Sequence, residues 1–405
     1  MADRAGIRVR DTLSGRLVPL PLSSEDGRPF LRLYVCGITP YDSGHMGHAF
    51  TFCAFDVLVR LLESEGVRVR YVQNLTDVDD PLFERARRDG VRWNELAARE
   101  VESFEGDMKT LGWRPPDVMP RVSLEIPGIL AAVAKLAADG YAYQTDALYF
   151  DADRYPGYGR LSHRTHRSMV RKLREEGLLG RIGPDGKRDP LDFPLWRSSA
   201  PDEPSWPSRF GPGRPGWHIE CSAMAIRYLG EQVDVHGGGR DLAFSHHESE
   251  RAQSESLTGC VPFARAWLHT GLVRYAGRKM SKSLGNLVVV GEVLERASAA
   301  AVRLYLASHR YRRDWEFRWE GLQAASRLAE RLRALLEAAA GAGRGPQGRR
   351  ASGDRRLLAE FRAALADDLD TPRALRALRA AVRRRDAAAA RYMLGILAGS
   401  ASLSD

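Results

Sequence analysis

The chain has 405 residues, 44% of them hydrophobic and 28% charged, with a formal net charge of +9. At roughly 150 residues per domain this suggests two or three domains with a sizeable core, and it disfavours wholesale disorder. The N-terminus, MADRAGIRVRDTLSGR, is charged from the start and no stretch reaches the roughly 18 apolar residues of a membrane span, so secretion and insertion are disfavoured and a cytoplasmic location is expected.

The first elements read as α/β. LRLYVC (31–36) has the apolar run of a short strand and is followed by GITPYDSGHMGH, rich in turn formers. AFTFCAFDVLVRLLESEG (49–66) has helical length with an apolar face, and VRVRYVQNL (67–75) alternates like a strand. Strand, glycine-containing loop, helix and strand make a βαβ unit, which predicts a parallel sheet with ligands outside its strand ends. Residues 91–140 read as helical, broken by WRPPD (113–117). Segment 141–215 changes in kind, with short strands such as ALYFD among Pro, Gly and charged turns, and reads as an insertion. The sheet resumes near VDVHGGG (233–239), a helix runs from about Ser245 to Leu257, and WLHTGLV (267–273) is a further strand or loop. Everything after about residue 295 is expected to be helical, with GAGRGPQGRRASGD (341–354) as a linker. Residues 321–405 carry 16 Arg, no Lys and 9 acidic residues. Most of the excess basicity is therefore local to this tail, where a solvated helical face explains it.

Three clusters carry chemistry. HMGH (His45 to His48) lies between a strand and a long helix, where N–H groups and imidazoles favour a phosphate. By itself it reads equally as an ordinary polar loop. GRKMSKSLGN (277–286) spaces Lys279 and Lys282 three apart among small residues, which suits a loop closing on a polyphosphate. A solvated basic loop would look the same, but the two clusters together argue against it. The third is a candidate metal site. Four scattered cysteines give neither a disulfide framework nor a CxxC knuckle. Cys36 nevertheless ends a strand, Cys221 closes GWHIEC, and His246 and Glu250 lie four apart on a predicted helix. Two thiolates, an imidazole and a carboxylate could complete a zinc shell. His247 is expected to point elsewhere as a polar or supporting residue, and Cys53 and Cys260 read as inert packing.

HMGH and KMSKS match the two signatures of class I aminoacyl-tRNA synthetases. With YVCGITPYDSGHMGH, YVQNLTDVDDPLFERA, KRDPLDFPLW, EPSWPSRFGPGRPGWHIECSAM and VHGGGRDLAFSHHESE, the chain resembles cysteinyl-tRNA synthetases and the cysteine ligases of mycothiol biosynthesis, which share their catalytic body. The resemblance covers roughly residues 31–290. It implies an α/β fold: a Rossmann-type catalytic domain in two halves (1–115 and 206–295, the second carrying the KMSKS loop), an inserted module (116–205) and a C-terminal α-helical bundle (296–405). It implies a Zn²⁺ ion on Cys36, Cys221, His246 and Glu250 that takes the substrate thiolate. Gly37, Thr39, Thr76, Trp217 and Asp241 would surround cysteine, with Asp241 toward its ammonium. His45, His48, Gly237, Gly238, Gly239, Val273, Lys279 and Lys282 would hold ATP, with Mg²⁺ on its phosphates. The histidines and lysines would stabilise charge as cysteinyl-adenylate forms and pyrophosphate leaves.

The acceptor divides the reading. GITPYD, DDPLFERARRDGV and the EPSWPS…FGPGRPGW run resemble the mycothiol branch, whose acceptor is the amine of glucosaminyl-inositol, and no anticodon-reading domain is expected after the bundle. Glu250, KRDPLDF and HIECSAM resemble the tRNA branch, so transfer to tRNA-Cys is the alternative, with another small acceptor as a third. Membrane partners are not expected.

Overall fold

The structure, a computed structural model, describes residues 6–42, 44–280, 285–341 and 353–399. Its centre is a parallel sheet. β1 (Arg28–Ile38) leads into α1 (Met46–Ser64) and β2 (Arg68–Leu75). Much later α2 (Trp217–Leu229), β3 (Val233–Gly239), α3 (His246–Thr258) and β4 (Ala264–Thr270) complete it. The spatial order of the parallel strands is β2-β1-β3-β4, with a short antiparallel strand, Ser23–Glu25, on the N-terminal end of β1. From β1 the chain crosses toward β2, and from β3 it crosses the opposite way toward β4. The carboxyl ends of β1 and β3 therefore flank a topological switch point, where open α/β sheets hold ligands.

Strand alternation decides which side chains meet there. Leu31, Leu33 and Val35 of β1 join the core that contains α1 and the C-terminal helices. Tyr34 and Cys36 join the opposite core, with Ile219, Cys221 and Met224 of α2 and Ala252 of α3. Period two along a strand thus sends Cys36 toward the α2–α3 layer because Val35 faces α1. At roughly 25 cal/mol per Å² of apolar surface removed from water, burial on both faces holds this register against a one-residue slip.

Between β2 and α2 lie the helices Trp93–Thr110 and Val122–Ala138. They are followed by an antiparallel four-stranded sheet of Ala142–Gln144, Ala147–Phe150, Phe193–Arg197 and Arg214–Pro215. The expectation of helix after about residue 295, with one linker at 341–354, fails at one further point. Trp315–Glu316 is a strand, parallel to Val273–Tyr275, which in turn pairs with Arg278–Lys279. Trp315 is buried and His309 stacks on it at 3.8 Å, so an aromatic contact outweighs local helix preference. The helices Trp319–Gly341, Arg355–Ala366, Thr371–Arg383 and Ala387–Ala398 follow. The last three are each opened by an aspartate, Asp354, Asp370 and Asp386, whose carboxylate accepts first-turn N–H groups. Most of the expected 341–354 linker lies outside the described residues. Among the described residues no helix is long and apolar enough to cross a membrane.

Candidate active site

Cys36 near the end of β1, Cys221 in the second turn of α2, and His246 and Glu250 on α3 converge, with one ligand atom from each within 4.8 Å of the others. The i, i+4 spacing puts His246 and Glu250 on one helix face. Cys36 Sγ lies 3.6 and 3.7 Å from the two Glu250 oxygens, and His246 Nε2 lies 3.6 Å from Oε1. All four residues are buried. His246 Nε2 has no hydrogen-bond partner among the described residues, while its Nδ1 sits 2.9 Å from His218 Nδ1. One ring nitrogen held by a neighbour and the other turned into a group of soft and hard donors is the arrangement of a metal-ligating imidazole. The residues present fit a metal ion.

Burial sets the proton affinities of the cluster. It pushes the Cys36 thiol and the Glu250 carboxyl well up and His246 well down. His218, His236 and His269 are pushed down to about 3 by the same cause. Every member is thus driven toward its neutral form, and a bound dication would supply the charge that favours thiolate and carboxylate.

Two histidines stand differently from expectation. His247 does not point away: its Nε2 lies 3.8 Å from Glu250 Oε2, because i, i+3 positions share a helix face as i, i+4 do. His236 of β3, unremarked in the sequence, places Nε2 3.1 Å from Glu250 Oε2 and 3.6 Å from Cys36 Sγ. Cys36, His236, His247 and Glu250 form a second four-residue group of the same compactness. A lone histidine in the apolar strand VDVHGGG carries only a weak signal, since buried imidazoles in cores read the same way.

Cys36, alone of the four, lines a cleft of about 330 Å³ whose walls also include Gly37, Thr39, His45, His48, Trp217, Gly239, Asp241 and Val273. Trp217 stacks on the His246 ring, centroids 4.1 Å apart, so it borders the cluster directly. Thr39 donates its hydroxyl to Asp79 Oδ2 at 3.1 Å. Thr76 is buried, accepts from Asn74 Nδ2 at 2.9 Å, and is not among the lining residues. Gly237 and Gly238 are also absent from the lining, and packing demands them: a Cβ would meet the Phe55 ring at 2.2 Å and Leu242 Cδ1 at 2.9 Å respectively.

The start of α1 is not the bare N–H site expected. His45 Nδ1 accepts from Gly47 N and His48 N at 3.1 and 3.3 Å, and Met46 N donates to the Val288 carbonyl at 2.9 Å. These donors are already engaged, so a phosphate at this turn would be left to the imidazoles themselves. His45 and His48 stack at 3.8 Å, and burial first, then His45, holds His48 well below the usual histidine range. It stays neutral and offers a ring N–H rather than a charge. The bridge between His45 and Val289 ties this turn to the segment following the lysine loop. Lys279 ends the Arg278–Lys279 strand, and Met280 lines the cleft. Lys282 lies outside the described residues. Cys53 is buried in the α1 core and Cys260 is half-buried.

Residues 25–327 match the family described as the catalytic domain of class I (C) tRNA synthetases. The chain belongs to this family. It is an ATP-dependent amino-acid ligase, as the HMGH and KMSKS signatures imply. An L-cysteine:1D-myo-inositol 2-amino-2-deoxy-alpha-D-glucopyranoside ligase of Frankia alni is 48% identical over 93% of this chain and 88% of its own length. One of Parafrankia sp. is 46% identical over 92% and 80%. A cysteine–tRNA ligase of Dehalococcoides mccartyi is 47% identical over 81% of this chain and 70% of its own. Among solved structures, the Mycobacterium tuberculosis methionyl-tRNA synthetase with methionyl-adenylate aligns at a TM-score of 0.60 and 17% identity, covering 91% of this chain and 82% of that one. That likeness bears on the fold, which is the α/β class expected with helices at its C-terminal end.

Proposed function

We propose that this chain activates L-cysteine with ATP and transfers the cysteinyl group to the amine of glucosaminyl-inositol. The observation that carries the activation step is the cleft that Thr39, His45, His48, Trp217 and Asp241 share with Cys36, which is itself one of the four grouped candidate ligands. A zinc ion there would bind the substrate thiolate and reject serine, since a soft cation prefers sulfur over a hydroxyl. Cys36, Cys221, His246 and Glu250 would hold it. Asp241 takes the cysteine ammonium, and Trp217 closes the cleft beside the ligands. The cysteine carboxylate then attacks the α-phosphorus of Mg²⁺-ATP; the new P–O bond forms as the bond to pyrophosphate breaks. His45 and His48 donate to the phosphate oxygens, and Lys279 and Lys282 offset their charge, so positioning and electrostatics carry the step. The acceptor, once its ammonium has given up a proton to solvent, attacks the adenylate carbonyl as the free amine; the C–N bond forms, the bond to AMP breaks with its pair going to AMP, and the remaining amine proton leaves to solvent. No covalent enzyme intermediate is needed.

The choice of acceptor rests on extent of similarity: the amino-sugar ligases match over 92–93% of this chain, the tRNA ligase over 81%. Transfer to tRNA-Cys is the second reading, favoured by near-equal identity to that relative. Incubating the protein with labelled cysteine and ATP, and glucosaminyl-inositol or bulk tRNA in separate reactions, distinguishes them. Amide product without charged tRNA is expected. Charged tRNA without amide would replace the first reading by the second.

A further inference from the structure

A second cavity adjoins the activation cleft. It measures about 870 Å³ and is walled by the inserted sheet, by the start of the helix Asp80–Asp89 and by the loop preceding α2. Thr39, Tyr41 and Trp217 line both spaces, so the two meet along one shared wall. Its size falls in the range of small-ligand sites.

The walls are acidic. Six carboxylates line the cavity against three cations. Two of those cations are committed: Arg197 and Arg214 both donate to Asp80, and Arg214 also binds Glu203. Asp79 accepts the Asp80 N–H at 2.9 Å and the Thr39 hydroxyl at 3.1 Å, which sets its carboxylate beside the shared wall. The third cation is Lys187. It is only 6% exposed, yet its ammonium makes no hydrogen bond or ion pair among the described residues. Burial draws its pKa down, although Asp192 and Asp189 act to raise it. The Lys187 side chain is otherwise packed, and its Nζ opens into the cavity, where a ligand bearing oxygen acceptors would meet it.

We propose that this cavity is the acceptor site and that it binds an amine-bearing polyol, with the ammonium on Asp79 at the shared wall and hydroxyl oxygens on Lys187. The inference rests on the amine-acceptor reading and deepens it by assigning the residues that select the acceptor. An acid-rich wall attracts an ammonium and repels a phosphodiester backbone, so the same charges that admit an amino sugar oppose a nucleic-acid end. A lysine presents three donors and no acceptor, which suits the hydroxyl-rich body of the ligand. Placing the amine beside Thr39 and Trp217 brings it to the cleft where the adenylate forms.

The test uses the full chain, glucosaminyl-inositol as the probe, and the variants Lys187→Met, Lys187→Arg and Asp79→Asn, with cysteine-dependent ATP–pyrophosphate exchange run on each. Lys187→Met is expected to raise the ratio of acceptor KM to cysteine KM about tenfold, and Lys187→Arg to restore it to within about threefold. Asp79→Asn moves the same ratio in the same direction and serves if Lys187→Met fails to fold. Unchanged ratios in both overturn the cavity assignment, as does a loss of exchange in parallel with amide synthesis. If the unmodified chain forms no amide from glucosaminyl-inositol, the acceptor reading falls first and this proposal with it. That outcome is read before any variant is made.

Discussion

Cys36 and Glu250 meet because two periodicities agree: the alternation of β1 turns Cys36 away from α1, and the helical repeat of α3 turns Glu250 and His246 toward it. His218 holds the far nitrogen of His246 without reaching the cluster itself. Its removal should therefore weaken the metal rather than abolish it. His218→Ala is expected to lower the affinity for a metal ion by about 10- to 100-fold, as loss of an orienting partner typically does. Chelator competition on the purified protein reads this, and an affinity equal to wild type would show that His246 needs no orientation from His218. Cys36, Cys221, His246 and Glu250 were named from the sequence because the resemblance matched them; their residue types and spacing alone only allowed the group, which the fold brings together. His218, His236 and His269 were not, since one buried imidazole looks like another until strand and helix are brought together. The capping role of His45 was hidden for a related reason: a cap is defined by backbone geometry, and HMGH alone does not state which nitrogen faces the helix.

At the scale of elements, β1, α1, β2, β3 and α3 were readable to within a few residues; β1, α1 and β2 carry an apolar run or period, whereas the polar α3 has no apolar stripe to mark it. The short strand Trp315–Glu316 was not, since its pairing with Val273 and Arg274 is formed across the fold and two residues carry no period. The junction of β1 and β2 shows how tightly an element can constrain a site. The register shifts between Val35 and Ile38, and Gly37 at that shift lets the Asn74 carbonyl approach so closely that a Cβ would lie 1.7 Å from it. Backbone cannot yield as a flexible side chain does. Gly37→Ala is expected to destabilise the protein by about 1–3 kcal/mol and, by displacing Cys36, to raise the KM for cysteine. Gly106 supplies the contrast, lying inside the helix Trp93–Thr110 with nothing within 4 Å of an added Cβ. Gly106→Ala should stabilise by about 0.5–1 kcal/mol through helix propensity. Thermal melts of the two variants moving in the same direction would refute this account of both glycines.

Over the whole molecule, the catalytic sheet and the C-terminal helices share one apolar core rather than two. Leu33, Val35 and Phe52 belong to the same cluster as Leu332, Phe361 and Leu394. A buried ion pair crosses this union: Arg303 of the helix Ala299–Ala307 donates to Asp56 of α1, and both side chains are 0% exposed. Arg303 also donates to the Leu397 carbonyl at 3.1 and 2.9 Å, which ties in the last helix. The two partners are not equivalent. Asp56 is further satisfied by Arg60 at 3.0 Å and the Arg114 N–H at 2.9 Å, so it keeps companions when Arg303 is removed. Arg303 has no second carboxylate partner among the described residues, so removing Asp56 leaves a buried guanidinium without a counter-charge there. Breaking a buried pair by deleting one member costs about 3–5 kcal/mol, and the upper part of that range is expected for Asp56→Ala. Arg303→Met should cost less, because a long apolar side chain refills the space and Asp56 stays paired with Arg60. Both variants should unfold in denaturant as a single transition, since the shared core leaves the helices no separate means of support. A larger loss in Arg303→Met than in Asp56→Ala would mean that the Leu397 contact, not the ion pair, couples the helices to the sheet. Two resolved transitions would mean that the core divides where it is continuous here.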